Sequence, residues 1–384
     1  MKNKKYFKIK FTVILFLLVC ISINFLFAQN KTFNFYGKVS GFVGSSLSNS
    51  SYLFSGRYLP SLETNIYNKS NKFVDLELTG NLYYQMDFDT TSNSDIDFYR
   101  LWSRYSTTQF EMRFGLQKIN FGPAFLFRPL MWFSSNDPQD PLGLSKGVWG
   151  LRLRYYFLNN ANIWAWCLYG NNDLKGMEIF PTKDNSIEYG GRIQLPILNG
   201  ELGISYHNRH FEANYKYETN PHPFLPEDNY SENRFALDGK WDLGVGLWFE
   251  AEVINYNAQV NKWQQMLTIG SDYTISLGNG LHILGEYFFV NMAEDFFGID
   301  NTHDFAGFAI DYPIGLFDVV NGFIRCDLES LELYNYLSWQ KTYNNFSINL
   351  SYSWMTSNDL QSINNNQSMS LLDDFVKLMI IYNY

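Results

Sequence analysis

The sequence predicts an all-β chain: a transmembrane antiparallel up-and-down β-barrel of about 18 strands (16–18), with one inward-folded loop. Three observations carry this reading. Apolar residues recur at every second position along most of the chain, and the connections between such runs alternate between long and tight. Aromatic side chains make up 18% of the 384 residues, with 34 Phe and 27 Tyr, while only 17% are charged. A membrane barrel requires that combination, because its aromatics gather in girdles at two interfaces and lipid-facing residues alternate with polar lumen residues.

The alternation is clearest in three places. From Val74 to Phe88 the even positions are Val74, Leu76, Leu78, Gly80, Leu82, Tyr84, Met86 and Phe88. The odd ones are Asp75, Glu77, Thr79, Asn81, Tyr83, Gln85 and Asp87. Phe346, Ile348, Leu350, Tyr352 and Trp354 alternate with Ser347, Asn349, Ser351 and Ser353 in the same way. Phe110, Met112, Phe114 and Leu116 face away from Gln109, Glu111, Arg113 and Gln117. Such runs are apolar on one face only, and no comparable stretch repeats every 3.6 residues.

About eighteen runs can be marked. They lie near 33–44, 50–59, 72–88, 95–106, 108–118, 147–157, 161–170, 186–196, 200–210, 232–242, 244–256, 262–275, 280–290, 303–313, 317–327, 331–341, 344–354 and 372–384. Gaps after odd-numbered runs are long (119–146, 171–185, 211–231, 291–302, 355–371). Those after even-numbered runs are tight (Asn159-Asn160, Asn199-Gly200, Leu243, Leu277–Asn279, Thr342), with 60–71 the exception. Short turns on one rim and long loops on the other are the parity of a membrane barrel. Asn199-Gly200 reads as a two-residue type I′ hairpin turn, which needs positive φ at both positions. The last run alternates through Val376, Leu378, Ile380, Tyr382 and Tyr384 and would close against Phe33, Phe35, Val39 and Val43 of the first. Its aromatic end at Tyr384 reads as the signal for barrel-assembly machinery.

Residues 1–28 read as a signal peptide: Lys2, Lys4, Lys5, Lys8 and Lys10, then an apolar run from Phe11 to Phe27, then Ala28 before Gln29. The barrel would then occupy 29–384, and losing five lysines would take the formal charge from -9 to -14. An acidic chain disfavours nucleic acid as a partner. No later window is apolar enough for a membrane helix. Cys167 and Cys326 lie far apart in strand-like runs and read as free and buried rather than as a disulfide.

Residues on the polar parity would line the lumen. Predicted strands four to eight contribute Arg100, Arg104, Arg113, Arg152, Arg154 and Arg192, and strands eleven to fifteen contribute Glu250, Glu252, Asp272 and Glu286. A basic wall facing an acidic one makes a transverse field. The segment 119–147 holds four of the chain's 11 prolines, at 123, 129, 138 and 141, which exclude a central strand. It is also too apolar for an exposed loop: Phe125, Phe127, Trp132 and Phe133 need cover. It therefore reads as a constriction or plug loop folded into the lumen, with Arg128 beside Arg113 and Arg152 at the narrowest point. Other chemistry is thin. His207 and His210 fall on opposite strand faces, so no metal is expected, and Asn136, Asp137 and Asp140 read as turns rather than a Ca²⁺ site. No nucleophile is marked, no cofactor is expected, and an enzyme is the weakest reading.

The stretch FGLQKINFGPAFLFRPLMWFSSNDPQDPLGLSKGVWGLRLRYYF resembles a segment of porin-like outer-membrane barrels of the Bacteroidota, and the FAQN junction resembles signal peptides of that group. The chain is also broadly similar to alginate-export and Wzi-type capsule-assembly barrels. The resemblance implies a Gram-negative outer membrane and a channel passing small polar or anionic solutes. Its alternative is a non-conducting barrel for exopolysaccharide or capsule export, surface attachment or partner binding. In that case loop 211–231, with His222, Phe224 and Tyr230, would meet sugar.

Overall fold

The computed structural model describes residues 31–48, 51–68, 72–87, 92–135, 139–212, 230–257, 262–356 and 374–384. Eighteen strands account for most of them. They are β1 (Lys31–Ser46), β2 (Tyr52–Asn68), β3 (Lys72–Asp87), β4 (Ser92–Ser106), β5 (Phe110–Gln117) and β6 (Val148–Tyr156). Next come β7 (Asn162–Tyr169), β8 (Ile187–Ile197), β9 (Gly200–Phe211), β10 (Tyr230–Asp242), β11 (Gly246–Tyr256) and β12 (Trp263–Ile275). The last six are β13 (Leu281–Ala293), β14 (Asn301–Pro313), β15 (Asp318–Asp327), β16 (Leu333–Thr342), β17 (Phe346–Met355) and β18 (Phe375–Asn383).

Each strand pairs antiparallel with the next, and β18 returns to β1 with Lys38 opposite Asn383 and Ser46 opposite Phe375. The sheet therefore has no free edge, so its ladders satisfy the backbone groups that lipid could not. Closure is sealed at the short-turn rim, where Gly37 and Tyr384 exchange backbone hydrogen bonds at 3.1 Å and the Tyr58 and Tyr384 hydroxyls meet at 2.7 Å. Exposed Phe33, Val39, Val43, Leu378, Ile380 and Tyr382 stand on the outer face of this seam.

Each predicted run is a strand, and the differences are local. β2 does not stop at Leu59 but runs on to Asn68, so the expected long gap at 60–71 is not one. Pro60 lies inside the strand, and pairing with β3 passes from Tyr58 opposite Leu82 to Ser61 opposite Thr79. A proline lacks the N–H for the ladder, so the pairs at Leu59 and Pro60 drop out while the register is kept; a separate bulge lies on the other side of β3, between Thr79 and Gly80 in its pairing with β4. The tight turn between β8 and β9 is Leu198-Asn199, with φ of 49° and 59°, one residue earlier than expected. Gly200 is instead a paired strand residue. Its glycine is needed for approach, since a Cβ there would lie 2.3 Å from the Lys240 carbonyl oxygen. The two cysteines are free but not buried: Cys167 is exposed and Cys326 half-buried. The 2.0 period explains this for Cys167, which alternates with the buried inward Trp166 and Leu168.

Placing a methyl group at that close approach gives a direct test. Gly200→Ala should lower stability by about 1–3 kcal/mol through overpacking, read as a lower urea midpoint for the folded barrel, whereas Asn199→Gly in the neighbouring turn should leave the midpoint nearly unchanged.

Candidate functional site: the inward loop and the arginine row

The described parts of the connection between β5 and β6, residues 118–135 and 139–147, fold into the barrel and pack chiefly against β7 and β10 to β16. Ile119, Phe121, Leu130, Trp132 and Phe133 bury against Trp164, Trp166 and Leu168 of β7 and Ala236 of β10. Phe121 stacks on Trp166 at 6.0 Å, and Phe133 meets the His207 ring edge-on at 5.1 Å. Further along, Ala124, Leu126 and Phe127 join Trp248, Leu284, Phe288 and Phe323 of the far wall. Towards the loop's far end, the Gln139 carbonyl accepts from Tyr336 and Lys377, and the Ser145 carbonyl accepts from Arg100 at 2.8 Å.

Two carboxylates hold the middle of the loop. Glu286 accepts the backbone N–H groups of Phe125, Leu126 and Phe127 at 2.6, 2.7 and 2.9 Å, and the Trp248 indole N–H at 3.0 Å. Glu250 accepts those of Ala124 at 2.8 Å and Leu130 at 3.1 Å. Proline-rich backbone cannot satisfy its own N–H groups by a ladder, so charged acceptors from the strands do it. Gly122, at φ 86°, makes the approach possible: a Cβ there would stand 2.2 Å from Glu250 Oε1.

The expected acidic lumen wall is therefore corrected. Glu250 and Glu286 are sealed under the loop, and Glu252 is buried too, while Asp272 alone of the four stays partly exposed, 3.3 Å from His282. Of the constriction residues, Phe127, Trp132 and Phe133 are buried in the wall and Phe125 remains exposed. Arg128, expected beside Arg113 and Arg152, donates from its guanidinium to Asn120 Oδ1 at 2.8 Å just past the end of β5, whereas Arg113 and Arg152 pair with Glu111. Burial, and then the charges of Arg100 and Arg128, hold the Lys118 ammonium below its ordinary value.

A second long connection, residues 170–186, clasps the first. The Gly176 N–H donates to the Ser134 carbonyl at 3.0 Å, and Glu178 reaches Arg209 at 3.1 Å and Arg234 at 3.0 Å. Glu232 joins both arginines, and Glu188 sits 3.7 Å from Lys175 and 3.3 Å from His207. Sequence reasoning missed Arg209 and Arg234, although their parity in β9 and β10 marked them as inward. Nothing local marked Glu178, which lies in a loop.

The arginines divide in two. Arg192 is consumed by a two-point pair with Asp238 at 2.5 and 2.8 Å, and Arg100 is buried under the end of the loop. The other four form one group. Arg104 stands directly opposite Arg113, and Arg113 directly opposite Arg152, so three guanidiniums occupy one row across β4, β5 and β6. Like charges so placed repel. Glu111, one step away, pairs with Arg152, Arg104 at 3.6 Å and Arg113 at 3.7 Å, while Asp75 takes Arg104. The Trp102 ring lies under Arg113 at 4.3 Å, and Arg154 rests on Trp164 at 4.2 Å with no ion-pair partner among the described residues. Within ion-pair distance two carboxylates serve four guanidiniums, with the charge of Glu77 also acting on Arg113, and Arg104 and Arg113 stay partly exposed. On neighbouring β2 and β3, Glu63 faces Glu77, and Glu63 accepts from Tyr36 at 2.5 Å.

The class of structure is a closed 18-strand antiparallel barrel with an inward loop. Solved structures are similar in fold. OccAB2 of Acinetobacter baumannii superposes with a TM-score of 0.57 at 10% identity, covering 93% of this chain and 98% of that one. OccK5 (OpdH) of Pseudomonas aeruginosa gives 0.56 at 12%, covering 93% and 98%. An anion-selective porin from Comamonas acidovorans gives 0.51 at 10%, covering 92% and 100%. At such identities the likeness is one of fold. No family model matches the chain, and no curated protein matches it in sequence.

Removing one acceptor tests how the loop is held. Glu286→Ala removes the acceptor of three backbone donors and leaves the two buried ones, Leu126 and Phe127, unsatisfied at about 1–3 kcal/mol each, so amide hydrogen exchange at 125–127 should accelerate by at least tenfold. Glu286→Gln, which keeps an acceptor oxygen, should show a smaller rise.

Proposed function

We propose that the chain is a channel in the outer membrane of a Gram-negative bacterium and passes small polar and anionic solutes by diffusion. Solutes would move along the arginine row Arg104–Arg113–Arg152, with Arg154 beside it. That row carries the reading. Directly opposed guanidiniums with half the matching carboxylates cost stability, and a lumen gains from them a fixed site for carboxylate or phosphate. They stand on strands flanking the inward loop, so a solute passing the loop meets them. The resemblance to an anion-selective porin supports the direction of preference.

On this reading residues 1–28 are a signal peptide removed on export, the strand ending at Tyr384 engages the barrel-assembly machinery, and the kinship is with porin-like barrels of the Bacteroidota. A second reading draws on the depth of the loop's docking. With residues 119–135 and 139–145 held by contacts from β4 around to β18, a non-conducting barrel that serves exopolysaccharide export, surface attachment or partner binding is the competitor. Of its expected sugar-contacting loop, 211–231, residues 213–229 lie outside the described residues, and Tyr230 opens β10.

Planar-bilayer recording separates the two. The channel reading expects discrete conductance, a larger one after deletion of 121–141, and an anion-to-cation permeability ratio that Arg113→Ala or Arg152→Ala lowers by about two- to fivefold. A barrel that folds but never conducts, with or without 121–141, overturns it.

A further inference from the structure

The short-turn rim is apolar over most of its circumference. Five consecutive turns, from β6–β7 to β14–β15, each present an exposed leucine at or near the tip: Leu158, Leu198, Leu243, Leu277 and Leu316. Leu158 is 93% and Leu316 96% exposed, far beyond what a water-facing hairpin tip needs. Leu198 holds its place at a φ of 49°, where asparagine or glycine is favoured, so the backbone accepts strain to present an apolar side chain. The turn between β4 and β5 differs, being Thr107, Thr108 and Gln109.

We infer that this arc of turns, from β6 to β15, is immersed in lipid of the membrane leaflet on the short-turn side. The reasoning rests on the barrel's spanning a membrane, but not on what passes through it. First, the leucines continue the outer apolar face. Just inside them stand ring pairs: Tyr155 with Phe157 at 4.9 Å next to Leu158, and Trp241 with Phe249 at 6.0 Å next to Leu243. Rings of this kind sit at the headgroup level, and aliphatic tips attached to the same face extend the contact with lipid. Second, none of these five turns carries a charged residue. A protein partner recognises a contiguous patch with a polar rim. Separate uncharged tips on separate turns suit a fluid that moulds to each. Third, the polar β4–β5 turn limits the immersion to one arc.

The test uses single cysteines, Leu158→Cys, Leu243→Cys and Leu316→Cys, in a full-length chain carrying Cys20→Ser, Cys167→Ser and Cys326→Ser. Thr108→Cys supplies the water-facing reference and Phe235→Cys, on the outer face, the lipid-facing one. After labelling with an NBD fluorophore and reconstitution into phosphatidylethanolamine–phosphatidylglycerol vesicles, quenching by phospholipid brominated near the headgroup is compared with quenching by aqueous iodide. The three leucine positions should be quenched at least twofold by brominated lipid and little by iodide, as at Phe235, with Thr108 showing the reverse. If they behave like Thr108 while Phe235 is quenched by lipid, the turns face water and the inference is wrong, leaving a protein as the occupant of the arc. If Phe235 is also unquenched by lipid, the membrane reading itself falls, and this inference with it.

Discussion

The interior arrangement depends on two glutamates that accept backbone hydrogen bonds from a loop with no other way to satisfy them. Glu286 and Glu250 take up the N–H groups of Ala124 to Phe127 and of Leu130. A sequence with Pro123 and Pro129 in this stretch can form neither ladder nor helix there, and its many large side chains exclude it from water. Charged acceptors projecting from the wall resolve both problems. They let an apolar, irregular segment lie inside a barrel without leaving orphaned donors. The aromatic packing of Phe121, Phe127, Trp132 and Phe133 then adds burial to a path the carboxylates have already set.

A consequence is that the barrel has two unlike halves. From β7 around to β16 the inner wall is covered by the loop, with residues 170–186 pinned over part of it through Glu178, Arg209 and Arg234. Buried ion pairs of this kind add little net stability compared with apolar packing, but breaking one leaves an uncompensated charge. They therefore make the docked arrangement specific. The arginine row stands in the other half, where Arg104 and Arg113 keep contact with solvent. An inner surface divided in this way confines any solute path to one side of the lumen.

Much of the site was legible as a list of residue types and little of it as an arrangement. Parity put Arg104, Arg113, Arg152 and Arg154 on the inner face, because a strand's side chains alternate whatever its partners do. That three of them stand in one row depends on register between β4, β5 and β6, which the alternation leaves open by any even shift. Parity also put Glu250 and Glu286 inside. It could not say that they would turn from lumen charges into anchors, because their partners lie more than a hundred residues away in a segment without periodicity. Arg192 was placed inside and then lost to Asp238, a pairing that a single strand cannot disclose.

The sequence by itself determined the architecture. A period of two repeated over some eighteen runs, separated by loops of alternating length and ending on an aromatic strand, admits few other ways of burying its apolar face and pairing its backbone. Composition likewise forced residues 119–147 off the outer surface and out of the sheet. The tertiary structure decided which wall the loop chose, which carboxylates it consumed and which arginines remained open to solvent. These outcomes turn on contacts between residues distant in the chain, where hydrogen-bond geometry and close approach, as at Gly122 against Glu250, select one arrangement from many that share the same pattern.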